Sequence, residues 1–528
     1  MINPPYPFGE GVPVSLSLGY LSAVLEEEDI SVKILDLLTS SYTPNKIRKE
    51  IKRSKPDLVG VTSVTRTYPK ALEILKYCKE ADPSVLTVIG GPHVTFTAEK
   101  TLNEAPWIDV VVLGEGEYTL RDIFKYVKNE KKLESINGIA YRRDGEVVFT
   151  SSRENIKNLD KIPFPSRDLL PLSKYRALEV RCDVISSRGC PFDCIFCVAP
   201  KMFGKKVRYR NPSLVVDEIE RIKNLGFDIN FADDTFTLNH DHVYTILDEI
   251  INRDIEVNWT ANARVDTVDF ELLERMKEAG CTALFYGVES GDPEILEKSG
   301  KEITHEEVRK TVELTKKAGI KVITSFILGL PGETEKTIQK TLDFSKKLNT
   351  DSYTIHTLAP LPGTDLYKKR DEYGINLLVE DWEKINGDEP VTETITENNR
   401  IGPEELNRAL NEYFERSDES RKKTRKRAEL GEEDSKKEIK LWKTLEFLTP
   451  MIQNDLIENE GRIKLDKGEQ VGFEEAVELL KNRISDYYNK PSFSIKQQIK
   501  KQVKKGNLTT EIEKNRKGNY LIWKWVKI

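Results

Sequence analysis

The stretch Cys190-Pro-Phe-Asp-Cys194-Ile-Phe-Cys197 holds three of the chain's six cysteines in the pattern CxxxCxxC. That spacing puts three thiolates around one loop, where they can converge on a single inorganic centre. Thiolates are the soft ligands that iron–sulfur clusters take. Three local cysteines instead of four leave one iron of a four-iron cluster with an open position, as a catalytic cluster requires. A structural zinc loop is the alternative reading. Zinc sites usually add a second ligand pair elsewhere in the chain, whereas Cys78, Cys182 and Cys281 are scattered. Each of these three reads as a small buried apolar residue.

Downstream of the loop the chain alternates short apolar runs with amphipathic segments. Candidate strands are Val184–Ser187, Ile229–Ala232, Val257–Ala261, Ala283–Val288, Val322–Leu328 and Ser352–Leu358. Helical spacing over Pro212–Leu225, Val268–Ala279 and Thr304–Ala318 separates them. Six such units predict a partial or full α/β barrel over residues 179–385, with its chemistry on the rim at the carboxyl ends of the strands. The cysteine loop follows the first strand, where such a site belongs.

Upstream, residues 1–135 show the same alternation. The apolar runs are Val32–Asp36, Asp57–Thr62, Val85–Gly90 and Asp109–Leu113, with helical spacing in Leu16–Glu28, Asn45–Ser54 and Tyr68–Glu80. A doubly wound, Rossmann-like parallel sheet follows, and such sheets bind ligands at the carboxyl ends of their strands. Those ends carry Thr62-Ser63, Gly90-Gly91-Pro92-His93 and Gly114-Glu115-Gly116-Glu117. Small residues let a large ligand approach the backbone, and hydroxyls and free N–H groups can hold its polar arms. Ordinary turn chemistry would explain any one of these turns alone. No GxGxxG follows the first strand, which weighs against a dinucleotide. His93 reads as a hydrogen-bonding residue and not as a metal ligand. Residues 136–178 hold a hairpin signal around Arg143-Asp-Gly145 and a proline-rich linker, Asn158–Ser166.

In these motifs and their order, the chain resembles the radical SAM superfamily, and its first third is similar to the cobalamin-binding domain found upstream of many such enzymes. The resemblance implies that Cys190, Cys194 and Cys197 hold a 4Fe-4S cluster whose open iron binds S-adenosylmethionine, the source of a 5′-deoxyadenosyl radical. It places Phe196 near the adenine and Asp233 and Asp234 at the methionine ammonium. Arg264 falls at the methionine carboxylate, Glu289 and Ser290 at the ribose, and Leu328 in the adenine-contacting turn. The cobalt-ligating DxHxxG motif is missing, so the resemblance implies cobalamin bound without a protein histidine. Thr62, Ser63, Gly90, Gly91, His93, Gly114, Glu115, Gly116 and Glu117 would then hold the corrin and its tail.

Beyond residue 385 the character changes. Pro403–Arg416 reads as a helix, and residues 417–440, dense in charge, as a solvated helix or connector. Leu441–Leu456 and Phe473–Tyr488 have amphipathic spacing. A lysine-rich helix, Ser494–Leu508, precedes a strand pair, Ile512–Lys514 with Tyr520–Val526. This small, mainly helical unit, 386–528, resembles a winged helix in its helix-then-hairpin order. Its basic residues and interleaved aromatics could touch RNA, a peptide or an anionic surface, though a basic cap is the simpler reading.

With 38% hydrophobic and 32% charged residues and no long apolar run, no membrane span is expected. The start, MINPPYPFGEG, lacks signal-peptide regions, so a reducing cytoplasmic location is expected. The expected activity is methylation of an unactivated carbon in a small-molecule, lipid or peptide substrate. A one-electron reductant such as flavodoxin or ferredoxin would drive it, and nucleic acid is an unlikely partner. The alternatives are a radical cyclase or rearrangement enzyme, a tRNA methylthiotransferase, and a non-catalytic cobalamin-binding module. The methylthiotransferase would need further cysteines in the first third, which has only Cys78.

Overall fold

The computed structural model describes residues 1–6, 14–378, 382, 396–466, 470–488, 492–515 and 518–528. Strands β1 (Ile2–Asn3), β2 (Leu35–Asp36), β3 (Leu58–Thr62), β4 (Leu86–Gly90), β5 (Val110–Val112), β6 (Ile139–Arg143) and β7 (Glu146–Phe149) form one sheet. Its order is β2-β1-β3-β4-β5-β6-β7. The first five strands are parallel, and the predicted hairpin, β6 with β7, adds antiparallel at the edge. Helices Pro44–Ser54, Tyr68–Ala81 and Pro92–Glu104 cover the sheet. The first of these is capped as its sequence suggests: the Thr43 side chain accepts from Lys46 N, with Pro44 in the first turn. β1 has too few residues to leave a periodic signal, and Val32–Lys33 stays outside β2.

The barrel begins at β8 (Cys182–Val184). A short pair follows, β9 (Ser187–Arg188) with β10 (Arg208–Tyr209), and brackets the cysteine loop. Then come β11 (Ile229–Phe231), β12 (Trp259–Ala263), β13 (Cys281–Glu289), β14 (Lys321–Leu328) and β15 (Ser352–Thr357). The order β15-β14-β13-β12-β11-β8 is sequential and every pairing is parallel, so the six strands make an open barrel wall. Its core includes Phe231, Phe236 and Trp259, with ring centroids 4.1 Å and 5.2 Å from Phe231.

Further on, β16 (Ile375–Leu377) pairs with β17 (Thr396–Asn398). The helix from Pro403 continues through the charged stretch to Glu429, turns at Gly431, and is followed by Glu433–Gln453. Lys, Arg and Glu are strong helix formers, so the charge density extends the helix and makes no loose connector. β18 (Arg462–Leu465), helices Phe473–Ile484 and Ser492–Lys504, then β19 (Leu508–Asn515) and β20 (Gly518–Trp525) complete the chain, with sheet order β18-β20-β19. Helix, strand, two helices and a hairpin is a winged-helix order. Trp523 is buried in its core and Trp525 packs against that core, so these aromatics are core residues and no contact patch.

Candidate active site

The cysteine loop is pinned at several points. Gly189 adopts φ +107°, and a side chain there would meet the carbonyl oxygens of Gly204 and Lys206 at 2.9 and 3.0 Å. Cys190 N donates to Gly204 O (3.2 Å) and Cys197 N to Cys194 O (3.0 Å). Ile195 N donates to Ser299 O (3.1 Å), and Leu366 N to Ile195 O (2.9 Å), which ties the loop to two barrel turns. The three thiols are half-buried and free of disulfides. Cys182 and Cys281 begin β8 and β13, at the opposite ends of their strands from the loop, so neither can serve as a fourth ligand. Burial raises the Cys194 thiol and pushes Cys197 up to about 11. Bound iron would reverse that, since a coordinating thiol is deprotonated outright. Among the described residues no three His, Cys, Asp or Glu side chains stand close enough to share one metal ion. A cubane does not ask for that, because each cysteine takes a different iron corner.

The strand ends of the barrel gather charge around this loop. Cys194 feels Lys301 and Arg264, which lower its pKa, and Glu289, which raises it; Cys197 feels Asp234. Asp234 opens on the cavity described below, and its carboxyl is pushed up to about 6 by removal from bulk water and then by the charge of Asp233. Asp233 itself is buried and committed. It accepts from Ser186 N (3.0 Å), Ser186 Oγ (2.8 Å) and Ser187 Oγ, tying β11 to the entry of the cysteine loop. Of the two aspartates expected at the ammonium, Asp233 is thus taken up inside the protein and Asp234 alone lines the cavity.

Arg264 is likewise engaged inside the protein. Its guanidinium is paired with Asp266 at 2.9 Å through two nitrogens, donates to Lys301 O (2.9 Å), and lies 3.6 Å from the ring centroid of Phe192. It braces the cysteine loop from beneath. Glu289, expected at the ribose, is paired: Lys301 Nζ lies 2.8 Å from its Oε1, both nearly buried. Glu289 has φ +69°, at the register shift of β13, and a side chain at Gly287 would strike its Oε1 at 2.2 Å. Ser290 is fully buried, with its hydroxyl 3.2 Å from Thr341 Oγ1 and accepting from Asp292 N, so it closes a turn. Leu328 is buried at the end of β14, and Phe196 packs against the apolar cluster that holds Leu330 just beyond it. That turn is closed by Glu333, which accepts from Gly329 N (2.6 Å) and Leu330 N (3.1 Å). Burial pushes the Glu333 carboxyl up to about 8. Lys301 was invisible to sequence reasoning, since no motif links it to a glutamate twelve positions earlier.

A mostly apolar cavity of about 400 Å³ lies between this rim and the N-terminal sheet. The sheet contributes Thr62, Gly90, Gly91, Gly114 and Gly116, and the barrel Ser187, Ala232 and Asp234. Gly114 has φ +71° and open space where a side chain would stand. Gly91, at φ +109°, allows close approach to Ser63, whose carbonyl oxygen would lie 2.3 Å from a Cβ there. A glycine-walled, apolar cavity at strand ends suits a large planar corrin, and among the described residues no histidine lines it. Ser63 and His93 are outside that lining. The Ser63 hydroxyl donates to Gly90 O (3.2 Å). His93 is buried, 3.2 Å from Thr65 Oγ1, stacked on Tyr68 at 4.0 Å, and kept neutral by burial, with a pKa of about 3. Glu115 and Glu117 line the cavity but are already paired: Arg188 lies 3.0 Å from Glu115 and 2.6 Å from Glu117, and Arg208 lies 2.9 Å from Glu115.

Two family patterns match this chain, the radical SAM superfamily over residues 184–345 and the B12 binding domain over residues 10–124. An uncharacterized methyltransferase from Pyrococcus horikoshii is 40% identical over 382 residues, covering 71% of this chain and 82% of the relative. An anaerobic magnesium-protoporphyrin IX monomethyl ester cyclase from Rubrivivax gelatinosus is 35% identical over 390 residues, 72% of this chain and 69% of the relative. Among solved structures, OxsB, a cobalamin-dependent S-adenosylmethionine radical enzyme, matches with a TM-score of 0.66 at 21% identity, over 96% of this chain and 79% of its own. TsrM from Kitasatospora setae, a radical S-adenosylmethionine methyltransferase solved with cobalamin and a [4Fe-4S] cluster, matches with a TM-score of 0.62 at 21% identity, over 73% and 77%. The chain belongs to the radical SAM superfamily, in its cobalamin-dependent, methyltransferase-like branch. Its cofactors are accordingly a 4Fe-4S cluster, S-adenosylmethionine and cobalamin. Among the described residues no helix is long and apolar enough to cross a membrane.

Proposed function

We propose that this chain is a radical C-methyltransferase acting on an unactivated carbon of a small-molecule, lipid or peptide substrate. The observation that carries the reading is a cavity walled by both units, Gly90 and Gly114 from the N-terminal sheet and Ser187 and Asp234 from the barrel. When bound, the three cofactors supply a deoxyadenosyl radical and a transferable methyl group. The chain's residues do the positioning. Cys190, Cys194 and Cys197 hold the cluster, and Phe192 and Arg264 support their loop. Asp234 takes the methionine ammonium. Lys301, balanced by Glu289, takes the methionine carboxylate, and Phe196 with the Leu328 turn flanks the adenine. The glycine turns hold the corrin by shape, and the apolar wall keeps water from the radical. On this reading residues 1–135 form the corrin unit, 136–178 the hairpin and linker, 179–385 the barrel and 386–528 an accessory unit.

The proposed setting is cytoplasmic, with flavodoxin or ferredoxin as electron donor. Nucleic acid is not a proposed partner, because lysines of the helix Ser492–Lys504 are spent internally: Lys496 and Lys500 face Glu474, and Lys501 faces Glu179. A second reading, radical cyclisation, is supported by the cyclase relative. Anaerobically reconstituted protein should hold about four irons per chain and take up cobalamin. With reductant and S-adenosylmethionine it should release 5′-deoxyadenosine, and Cys194→Ala should release none. Zinc in place of iron, or undiminished product from Cys194→Ala, would sink the reading.

A further inference from the structure

The segment 189–207, which carries all three cluster cysteines, leaves the barrel through Arg188 on β9 and returns through Arg208 on β10. Those two arginines are direct antiparallel partners. Like charges directly opposite each other push a strand pair apart, and both side chains are 9% exposed, so water does little to screen them. The compensating charge comes from the other end of the cavity wall. Glu115 spans the pair, with Oε1 3.0 Å from Arg188 Nη1 and Oε2 2.9 Å from Arg208 Nη1. Its Oε2 also accepts from Ile156 N (2.7 Å). Glu117 holds the second nitrogen of Arg188 at 2.6 Å. Arg208 spends its remaining reach on Ile156 O (2.7 Å) and on Phe203 O (3.0 Å), inside the segment itself.

We infer that Glu115 is a positioning residue for the cluster loop: one carboxylate of the cobalamin-binding unit clamps both ends of segment 189–207, with Glu117 as second anchor. Glu115 and Glu117 are thereby reassigned from corrin ligands to a clasp between the two cofactor sites. The inference rests on the proposed role of the three cysteines. Arg188 lies two residues before Cys190, and Glu115, Glu117 and Arg188 all line the cavity, so seating the N-terminal unit and shaping the cluster loop are one event. A buried charge cluster of this kind fixes register more than it adds stability.

The test is amide hydrogen exchange of the full, cofactor-free chain, followed by reconstitution. Glu115→Gln should speed exchange across 189–207 by about tenfold or more, leaving the N-terminal core protected. Reconstituted Glu115→Gln should carry less iron and a broadened reduced-cluster EPR signal, while cobalamin uptake stays within about twofold of the parent. Adding Arg208→Met should restore protection at the outgoing end of the segment, around Arg188 and Cys190, because it removes the repulsion that Glu115 had balanced. Arg208→Met alone leaves the Arg188 pairs intact and should loosen only the returning end of the segment. If Glu115→Gln does not fold, that variant still decides: unchanged exchange in Arg208→Met overturns the inference. So does a Glu115→Gln protein that loses cobalamin with its loop still protected. Failure of the parent protein to load iron would sink the proposed function and leave the exchange result standing.

Discussion

The two walls of the cavity are both carboxyl ends of parallel strands, yet they present different chemistry. The N-terminal wall offers Gly90, Gly91, Gly114 and Gly116, backbone, and apolar side chains, and its two glutamates are already neutralised by arginine. The barrel wall keeps one charge open to the cavity, Asp234, and a nearly buried Glu289–Lys301 pair stands outside the lining, beside Cys194. A large ring with an amide rim can be held by shape and backbone alone. A small zwitterion cannot, and needs one group for each of its charges. On the proposed reading, the same strand-end geometry serves two ligands by exchanging glycine for charge.

Gly91→Ala should break the shape-based wall and give the largest effect. The new Cβ would sit 2.3 Å from Ser63 O, at a φ that side chains rarely adopt. Backbone strain and overpacking together should cost on the order of 3 kcal/mol or more. Calorimetry should show the N-terminal unit destabilised and cobalamin uptake lost, while the barrel's thiols still accept iron. Equal damage to both walls would mean that they are not independent.

Lys301→Met should break the charge-based wall instead. It leaves Glu289 buried without its partner, a loss of roughly 3 kcal/mol for a pair this enclosed. S-adenosylmethionine affinity, read by calorimetric titration, should fall at least about tenfold, with cobalamin uptake unchanged. Arg264→Lys should act differently. Its pairing with Asp266 and its stacking on Phe192 point to loop order, so its defect should appear in iron content before ligand affinity.

Much of this was legible where the information is local. The cysteine spacing, the six strand–helix units and the glycine turns are each encoded within a few residues, and the strands fall within a few positions of expectation. What was missed is what lies far apart in the chain. Glu115 meets Arg188 and Arg208 across 73 and 93 positions, and no motif announces such a pairing. Asp233 and Asp234 show the opposite failure. They are adjacent and chemically identical, so sequence treats them alike, but one faces the two serines behind the cysteine loop and the other faces the cavity. His93 looked available after a Gly-Gly-Pro turn, yet it sits in the first turn of the helix Pro92–Glu104 and is stacked inside against Tyr68.

Asp234 gives the finest test of the comparison, because its two roles pull in opposite directions. The folded protein keeps the Asp234 proton up to about pH 6, whereas an unfolded chain releases it near 3.8, the ordinary value for an aspartate. Between those values the folded state binds more protons, so this group's contribution to stability falls as pH rises and stays unfavourable above about 6. The charge it then carries is the one an ammonium group needs. Asp234→Asn should therefore melt slightly higher than the parent at pH 7 and bind S-adenosylmethionine more weakly. For the parent, affinity should climb as pH rises from 5 to 7 and level off; for Asp234→Asn it should stay flat. A variant that lost stability at pH 7, or kept the parent's pH profile, would place the ammonium elsewhere on the barrel rim. The cavity would then be held by shape on both sides.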